Sequence, residues 1–235
     1  GGIMSITGHE GGPPTRVGSS IGDLGAGLFT ALGIVTALHH RERTGAGMMV
    51  DVAMLDSQVA LLENSIARYF ASGKPPKPLG ARHPSIAPFE PYQTKDGWVV
   101  IACGNDELFR RFARTLGTPA LADDPHFATN AARSEHVQLL KATLEDVLLH
   151  HPTQHWLDLL LPAGIPCAPI NDIGQAVHDP QIQARHMVLP IDDPSVAPLM
   201  VAGMPIKMSA YADAERRNAA PELDGDRARI LADFP

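Results

Sequence analysis

The stretch from Met48 to Phe70, MMVDVAMLDSQVALLENSIARYF, decides how the rest of the chain is read. Its opening, Met48 to Met54 (MMVDVAM), is apolar and β-branched, the composition of a buried strand in a parallel sheet. The period then changes. Val59, Leu62, Ile66 and Phe70 recur every three or four residues, which predicts a helix over Leu55–Phe70. A buried strand running into an amphipathic helix is the unit from which α/β folds are built.

Upstream, Leu24, Leu28, Leu32, Val35 and Leu38 predict a helix over Ile21–Arg41, with Asp23 in its first turn, where a carboxylate favours free N–H groups. Gly and Ala fill the intervening positions, so this helix is expected to be well buried. Its most apolar part, Leu24–Leu38, reads as too short and mixed to span a bilayer. Arg41–Gly47 reads as a basic loop. Downstream, Ser72–Pro91 is punctuated by Pro75, Pro76, Pro78, Pro84, Pro88 and Pro91, which excludes a helix or a central strand. Loops of that length are usually functional or disordered.

Further on, Gly97–Gly104 predicts a strand. A helix to Leu116 follows, capped by Asn105 or Asp106 and ended by Gly117. Helices are predicted from Ser134, over Thr153–Leu161 and over Pro180–Met187. Residues 165–172 are extended, short extended pieces recur over Leu189–Met208, and the tail from Ala212 is polar and weakly helical.

The composition narrows the function. The chain has 235 residues, 44% hydrophobic and 19% charged, with 21 Gly and 21 Pro, which argues against a coiled coil and against disorder as the main state. A formal charge of −7 argues against a nucleic-acid binder and gives no electrostatic reason to sit on an anionic membrane. Two Cys cannot make a disulfide framework, so a reducing compartment, the cytoplasm, is expected. No signal peptide is read at the N-terminus.

Motif searches name no reaction. GxxxxGK[ST] and GxSxG are absent, and Gly22, Gly25 and Gly27 form GxxGxG inside a helix, where close packing explains them. His39–His40 and His150–His151 read as helix-end cations. His151 and His155 lack a carboxylate spaced for zinc, and Cys103 and Cys167 read as small buried residues. His83 differs, because the Pro-rich loop offers no packing stripe to absorb it, and fixed loops carry function. Asp106 and Asp23 are candidates for which helix capping is the simpler explanation.

Several blocks, taken in order, resemble the family III CoA-transferases, which include formyl-CoA transferase and the carnitine-type CoA-transferases, with α-methylacyl-CoA racemase as a relative. Gly2-Ile3-Met4-Ser5-Ile6-Thr7-Gly8 resembles G-x-M-x-x-T-G, and Val17–Leu24 resembles V-G-x-x-I-x-D. Arg43–Val52 resembles R-T-G-x-G-Q-x-V-D-V, with Met48 in place of the Gln. Gly80-Ala81-Arg82-His83-Pro84 with Pro88-Phe89 resembles G-x-x-H-P…P-[YF]. Asp96-Gly97-Trp98 with Gly104-Asn105-Asp106 and Phe109 resembles D-G-W/Y…G-N-x-x-x-F, and Gly164–Asn171 resembles G-[IV]-P-x-x-P-[IV]-N. The tail departs: Pro221–Leu231 lacks the family's G-x-H-T.

The resemblance implies an α/β fold made of the end of a Rossmann-like large domain and a small α/β domain, in an interlocked homodimer. Residues 1–53 would finish the large domain, 54–78 would form a crossing helix and linker, 79–185 the small domain and 186–235 a return segment. It also implies a mechanism. An Asp carboxylate, expected just upstream of Gly2 and so outside this chain, attacks an acyl-CoA thioester to give a mixed anhydride and CoA thiolate. The thiolate then attacks the aspartyl carbonyl, giving an aspartyl-CoA thioester and the free acid, and an acceptor acid reverses the steps. Coenzyme A enters as the thioester substrate, with no permanently bound cofactor and no metal. His83 would line the acyl pocket, Asp23 and Asp106 would match carboxylates near it in the racemase relatives, and Arg82 could meet a second substrate carboxylate. Two alternatives stay open: an α-methylacyl-CoA racemase, which needs an acid/base pair at Cα, and a fragment that only binds or dimerises. The isolated chain is expected to lack transferase activity.

Overall fold

A computed structural model describes residues 1–193 and 195–233. The chain divides into two compact units, Gly1–Pro169 and Ile170–Pro235, each with its own sheet. This division falls at 169/170, whereas the resemblance put the start of the return segment at 186.

The first unit opens with helices: α1 (Ile3–Ile6), α2 (Ile21–Thr44), α3 (Met54–Ala60) and α4 (Asn64–Ser72). Strands β1 (Phe89–Gln93) and β2 (Trp98–Ala102) follow, then α5 (Asp106–Thr115), a 3-10 turn (Pro119–Ala122), α6 (Asn130–Glu135), α7 (Val137–Leu148), α8 (Thr153–Leu160) and β3 (Cys167–Pro169). The three strands form one antiparallel sheet in the order β1-β2-β3. Pro91 lies in β1 and Pro169 in β3, the two edges, where a missing N–H is tolerated; the central β2 has no Pro.

One core fills this sheet's inner face. Tyr92, Val99 and Ile101 alternate inward from β1 and β2. They meet Phe109 and Phe112 of α5, Leu140, Leu144 and Leu148 at four-residue spacing on α7, and Leu160 of α8. The Trp156 indole N–H donates to the Leu148 carbonyl oxygen at 2.8 Å, so its buried polar atom is satisfied. Burial, reinforced by nearby carboxylates, holds the Tyr92 phenol well above the usual tyrosine range.

Helix α5 matches its sequence reading. The Asn105 side chain accepts the Leu108 N–H at 2.8 Å, and Gly117 takes positive φ (77°) just past the C-terminus. Helix α8 is held at its start by Asp96, which accepts from the Thr153 N–H (2.7 Å) and hydroxyl (2.9 Å). These bonds, the backbone one foremost, hold the Asp96 carboxyl below its ordinary range. A depressed folded-state value means that this contribution is complete above the unfolded pKa of about 3.9 and is lost as pH falls through the folded value. Asp96→Asn is therefore expected to lower the urea midpoint at neutral pH, with the gap from wild type closing as pH falls below the unfolded value and through the lower folded one. A gap that persists in acid would contradict this.

Several sequence expectations are corrected. Met48–Met54 forms no strand among the described residues: Met48–Ala53 is non-helical and pairs with nothing, Met49 is 90% exposed, and α3 begins at Met54. It lies instead against α2, where a Cβ on Gly33 would come within 2.8 Å of Val50 Cγ1. Helix α2 runs three residues beyond Arg41, through part of the expected basic loop, and ends at Gly45, which has φ 73° and donates its N–H to the Arg41 carbonyl oxygen. The His39–His40 doublet is thus inside the helix. Of α2, only Gly25 is buried, contrary to the expectation of a well-buried helix. Close approach is confined to one face, where a Cβ on Gly25 would lie 2.8 Å from Leu61 and one on Gly22 3.1 Å from Gln58; Gly27 faces open space. With 24 residues and a peak mean hydropathy of 1.7, α2 is long and apolar enough to cross a membrane by length and composition, so the expectation that this region is too short is also corrected.

The expected helix over Leu55–Phe70 is two helices, broken around Glu63, which adopts φ 52°. Thr129, not Ser134, caps α6, accepting from the Ala132 N–H at 3.2 Å, and Ser134 sits inside it.

The second unit contains α9 (Ile173–Val177), α10 (Pro180–Ala184), β4 (Val188–Asp192), β5 (Met200–Ala202), β6 (Arg217–Asn218) and α11 (Arg227–Asp233). Asp172 and Gln175 form a reciprocal capping box on α9, and Asp179 caps α10 ahead of Pro180. The sheet order is β5-β4-β6, with β5 antiparallel and β6 parallel to β4. The Gly203 N–H donates to the Met187 carbonyl oxygen at 2.8 Å, and a Cβ there would run into the His186 carbonyl oxygen. Backbone on both sides cannot yield as a side chain can. Gly203→Ala is expected to cost about 3 kcal/mol, the upper end of overpacking penalties, read as a lowered urea midpoint. A change under about 0.5 kcal/mol would contradict it.

Candidate functional site

The loop between α4 and β1 is built by contacts that fix its backbone at several points. At its root, Gly80 has φ 67° and donates its N–H to the Gly8 carbonyl oxygen at 2.9 Å. The Thr7-Gly8 block and the Gly80–Pro84 block, 72 residues apart, are thereby joined. Arg82 faces the same segment, 4.0 Å from Glu10, and its buried Nε has no hydrogen-bond partner among the described residues.

His83 is half-buried. Its N–H donates to the Phe89 carbonyl oxygen at 2.9 Å, and its ring stacks on the Phe89 ring, 5.2 Å between centroids and 4° between planes. The Ser85 N–H donates to Nδ1 at 3.2 Å. In the neutral ring this leaves the hydrogen on Nε2, a donor aimed away from the turn that holds the ring.

Two residues of α6 hold the rest of the loop. Asn130 Nδ2 donates to the Ser85 carbonyl oxygen at 2.8 Å, and its Oδ1 accepts from the Ala87 N–H at 3.1 Å. Arg133 is completely buried. Its Nε donates to the Ala87 carbonyl oxygen (2.5 Å), Nη1 to the Phe127 carbonyl oxygen (2.8 Å) and Nη2 to Asp106 Oδ1 (2.8 Å). The guanidinium lies 4.4 Å from the centre of the Phe109 ring. A buried charge is tolerable when every donor face is paired in this way.

Of the residues singled out from sequence, His83 and Asp106 are brought into one network, linked in turn through Ser85, Asn130, Ala87 and Arg133. Asp106 sits in the first turn of α5 with one oxygen committed to Arg133. Asp23 is exposed in the first turn of α2, and no hydrogen bond or ion pair among the described residues joins it to the other two. Sequence reasoning missed Asn130 and Arg133. Both lie in the polar run NAARSE, and only their contacts 43 to 46 residues upstream set them apart.

The other candidates are quiet. Burial pushes the Cys103 thiol up to about 12 and raises that of Cys167, which makes them poor nucleophiles. His151 and His155 stack at 4.1 Å and pack edge-on against Trp156. Among the described residues no group of three or more His, Cys, Asp or Glu side chains is placed to hold a metal ion.

A mixed α/β chain carrying a backbone-anchored His-Pro loop is the class that this geometry defines. The sequence matches CoA-transferase family III over residues 1–227, and the chain belongs to that family. It is 42% identical over 234 residues to the acetyl-CoA:oxalate CoA-transferase of Acetobacter aceti, covering 99% of this chain and 59% of that protein. It is 35% identical over 233 residues to a succinate–glutarate CoA-transferase of Agrobacterium fabrum, covering 99% and 58%. A CAIB/BAIF family protein from Brucella suis matches in structure with a TM-score of 0.81 at 36% identity, over 100% of this chain and 61% of that one. The chain thus spans about three fifths of the length of the relatives it matches.

Proposed function

We propose that the full-length protein transfers coenzyme A between an acyl-CoA thioester and a small dicarboxylic acid. Similar relatives are named for oxalate, glutarate, mesaconate and citramalate, all dicarboxylic acids, and this supports the substrate class. The observation that carries the reading is the Gly80–Gly8 hydrogen bond, which sets the His83 loop beside the block that follows the expected nucleophile.

The chemistry is balanced without a metal or redox partner. An Asp carboxylate oxygen forms a bond to the thioester carbonyl carbon while the C–S bond breaks and the thiolate leaves. The thiolate attacks the aspartyl carbonyl of the anhydride, and the first acid leaves as its carboxylate. The acceptor carboxylate then attacks the aspartyl-CoA thioester, and the same two steps run backwards. Each tetrahedral intermediate needs a donor at its oxyanion, and the Nε2–H of His83 supplies one. The clamped loop also keeps water from the anhydride. Arg82, whose Nε has no hydrogen-bond partner among the described residues and whose guanidinium meets Glu10 only at 4.0 Å, is the receptor for the second carboxylate of the acid.

The exposed leucine face of α2 is read as packing surface for the rest of the large domain, in an interlocked homodimer. The two free cysteines favour a reducing, cytoplasmic setting. A racemase would use Asp106 as a proton carrier, which its bond to Arg133 disfavours.

The test is CoA exchange by the full-length protein between acetyl- or succinyl-CoA and a panel of acids. Transfer to dicarboxylates with little to matched monocarboxylates is expected, as is hydroxylamine capture of an aspartyl thioester. Arg82→Met should raise KM for the dicarboxylate about tenfold or more, with a smaller change in kcat. Equal rates with monocarboxylates would overturn the substrate class, and Cα deuterium exchange without CoA transfer would favour the racemase.

A further inference from the structure

We infer that Asn130 is a positioning residue that sets which nitrogen of the His83 ring carries the hydrogen. Two hydrogen bonds meet at Ser85. Its N–H is spent on His83 Nδ1, while its carbonyl is held by Asn130 Nδ2. The carboxamide then turns its oxygen to the Ala87 N–H two residues on, so one planar side chain grips the loop on both sides of Ile86. Arg133, one helical turn further on α6, takes the Ala87 carbonyl and closes the grip. Thr129 caps the same turn of α6, which holds the base of the Asn130 side chain.

This places a side chain from α6 in control of a hydrogen on a ring it does not touch. With Ser85 held, its N–H points at Nδ1, and Nε2–H is the donor that faces outward. With Ser85 released, both tautomers become accessible, and a share of the molecules presents a lone pair where a donor is needed. Asn suits the position because its planar amide offers a donor to the Ser85 carbonyl and, on a separate atom, an acceptor to the Ala87 N–H. Asp keeps the acceptor and sets a lone pair against the Ser85 carbonyl. The kinetic consequence rests on the reading of His83 as an oxyanion donor; the tautomer itself does not.

The test is nitrogen NMR of histidine-labelled full-length protein, with His83 assigned by its absence from the His83→Gln variant. Wild type is expected to show the Nε2–H signature at His83. Asn130→Ala should move that signal toward a mixture of tautomers and lower kcat about ten- to a hundredfold with KM nearly unchanged. Val137→Ala, which trims a partly buried neighbour on α7, should lower stability and leave the His83 signal where it was. If Asn130→Ala does not fold, Asn130→Asp is measured instead, with the same shift expected. A His83 signal that stays fixed in the Asn130 variant, or a wild-type signal that is not Nε2–H, overturns the inference. A shifted signal with unchanged kcat upholds the control of His83 and overturns its role in transfer.

Discussion

For the proposed CoA transfer, with His83 as the proposed oxyanion donor, His83→Ala in the full-length protein is expected to lower kcat by about 10²- to 10³-fold, the loss typical of one such donor. The ring is stacked on Phe89 and bonded at its backbone and at Nδ1, so its Nε2–H is ordered before substrate arrives. Preorganisation of that kind is valuable because no reorientation is needed when charge develops on the tetrahedral oxygen. The loss should fall on kcat, with KM for the acid changed little, since the donor meets a charge absent from the bound substrate. His83→Gln, which retains an N–H donor of comparable reach, should recover part of the rate. Turnover of the alanine variant within about twofold of wild type would remove His83 from the chemistry.

Arg133→Leu is expected to destabilise the protein by about 3–5 kcal/mol, as breaking a buried charged network does. Leucine fills much of the volume but leaves the carbonyls of Ala87 and Phe127 without a partner, at about 1–3 kcal/mol each. Asp106 loses less, because its side chain is 38% exposed and water replaces the guanidinium. Arg133→Lys should fare only partly better, since an ammonium on a flexible stem cannot reach three acceptors in three directions. Urea denaturation of both variants measures the loss, and a deficit below about 1 kcal/mol for leucine would show that the network contributes little.

The two misread regions have a common cause. Met48–Met54 has the composition of a buried strand, but composition does not say whether a ladder partner or a helix lies beside it. Here the segment lies against α2, with Val50 below Gly33. The small residues of α2 were legible as contacts, and the contacts are real at Gly22, Gly25 and Gly33, but they occupy one side of the helix while Leu28 and Leu32 face outward. Helix α5 was legible because its cap, its apolar stripe and its terminating glycine are all local. The Pro-rich loop was legible as a loop and as the place for His83. What fixes it was not, because Asn130 and Arg133 act through backbone carbonyls and N–H groups, which leave no complementary residue type in the loop for a reader to find.

That last property governs how the loop can be exchanged between relatives. A graft of residues 80–89 from another member of the family carries its side chains but not the helix that holds its backbone. The transplant would therefore keep the host's grip only where the incoming backbone sets its carbonyls at positions 85 and 87, and an N–H at position 87, in the same places. Substrate preference in such chimeras should follow the pair of segments, 80–89 with 129–133, as one transferable cassette.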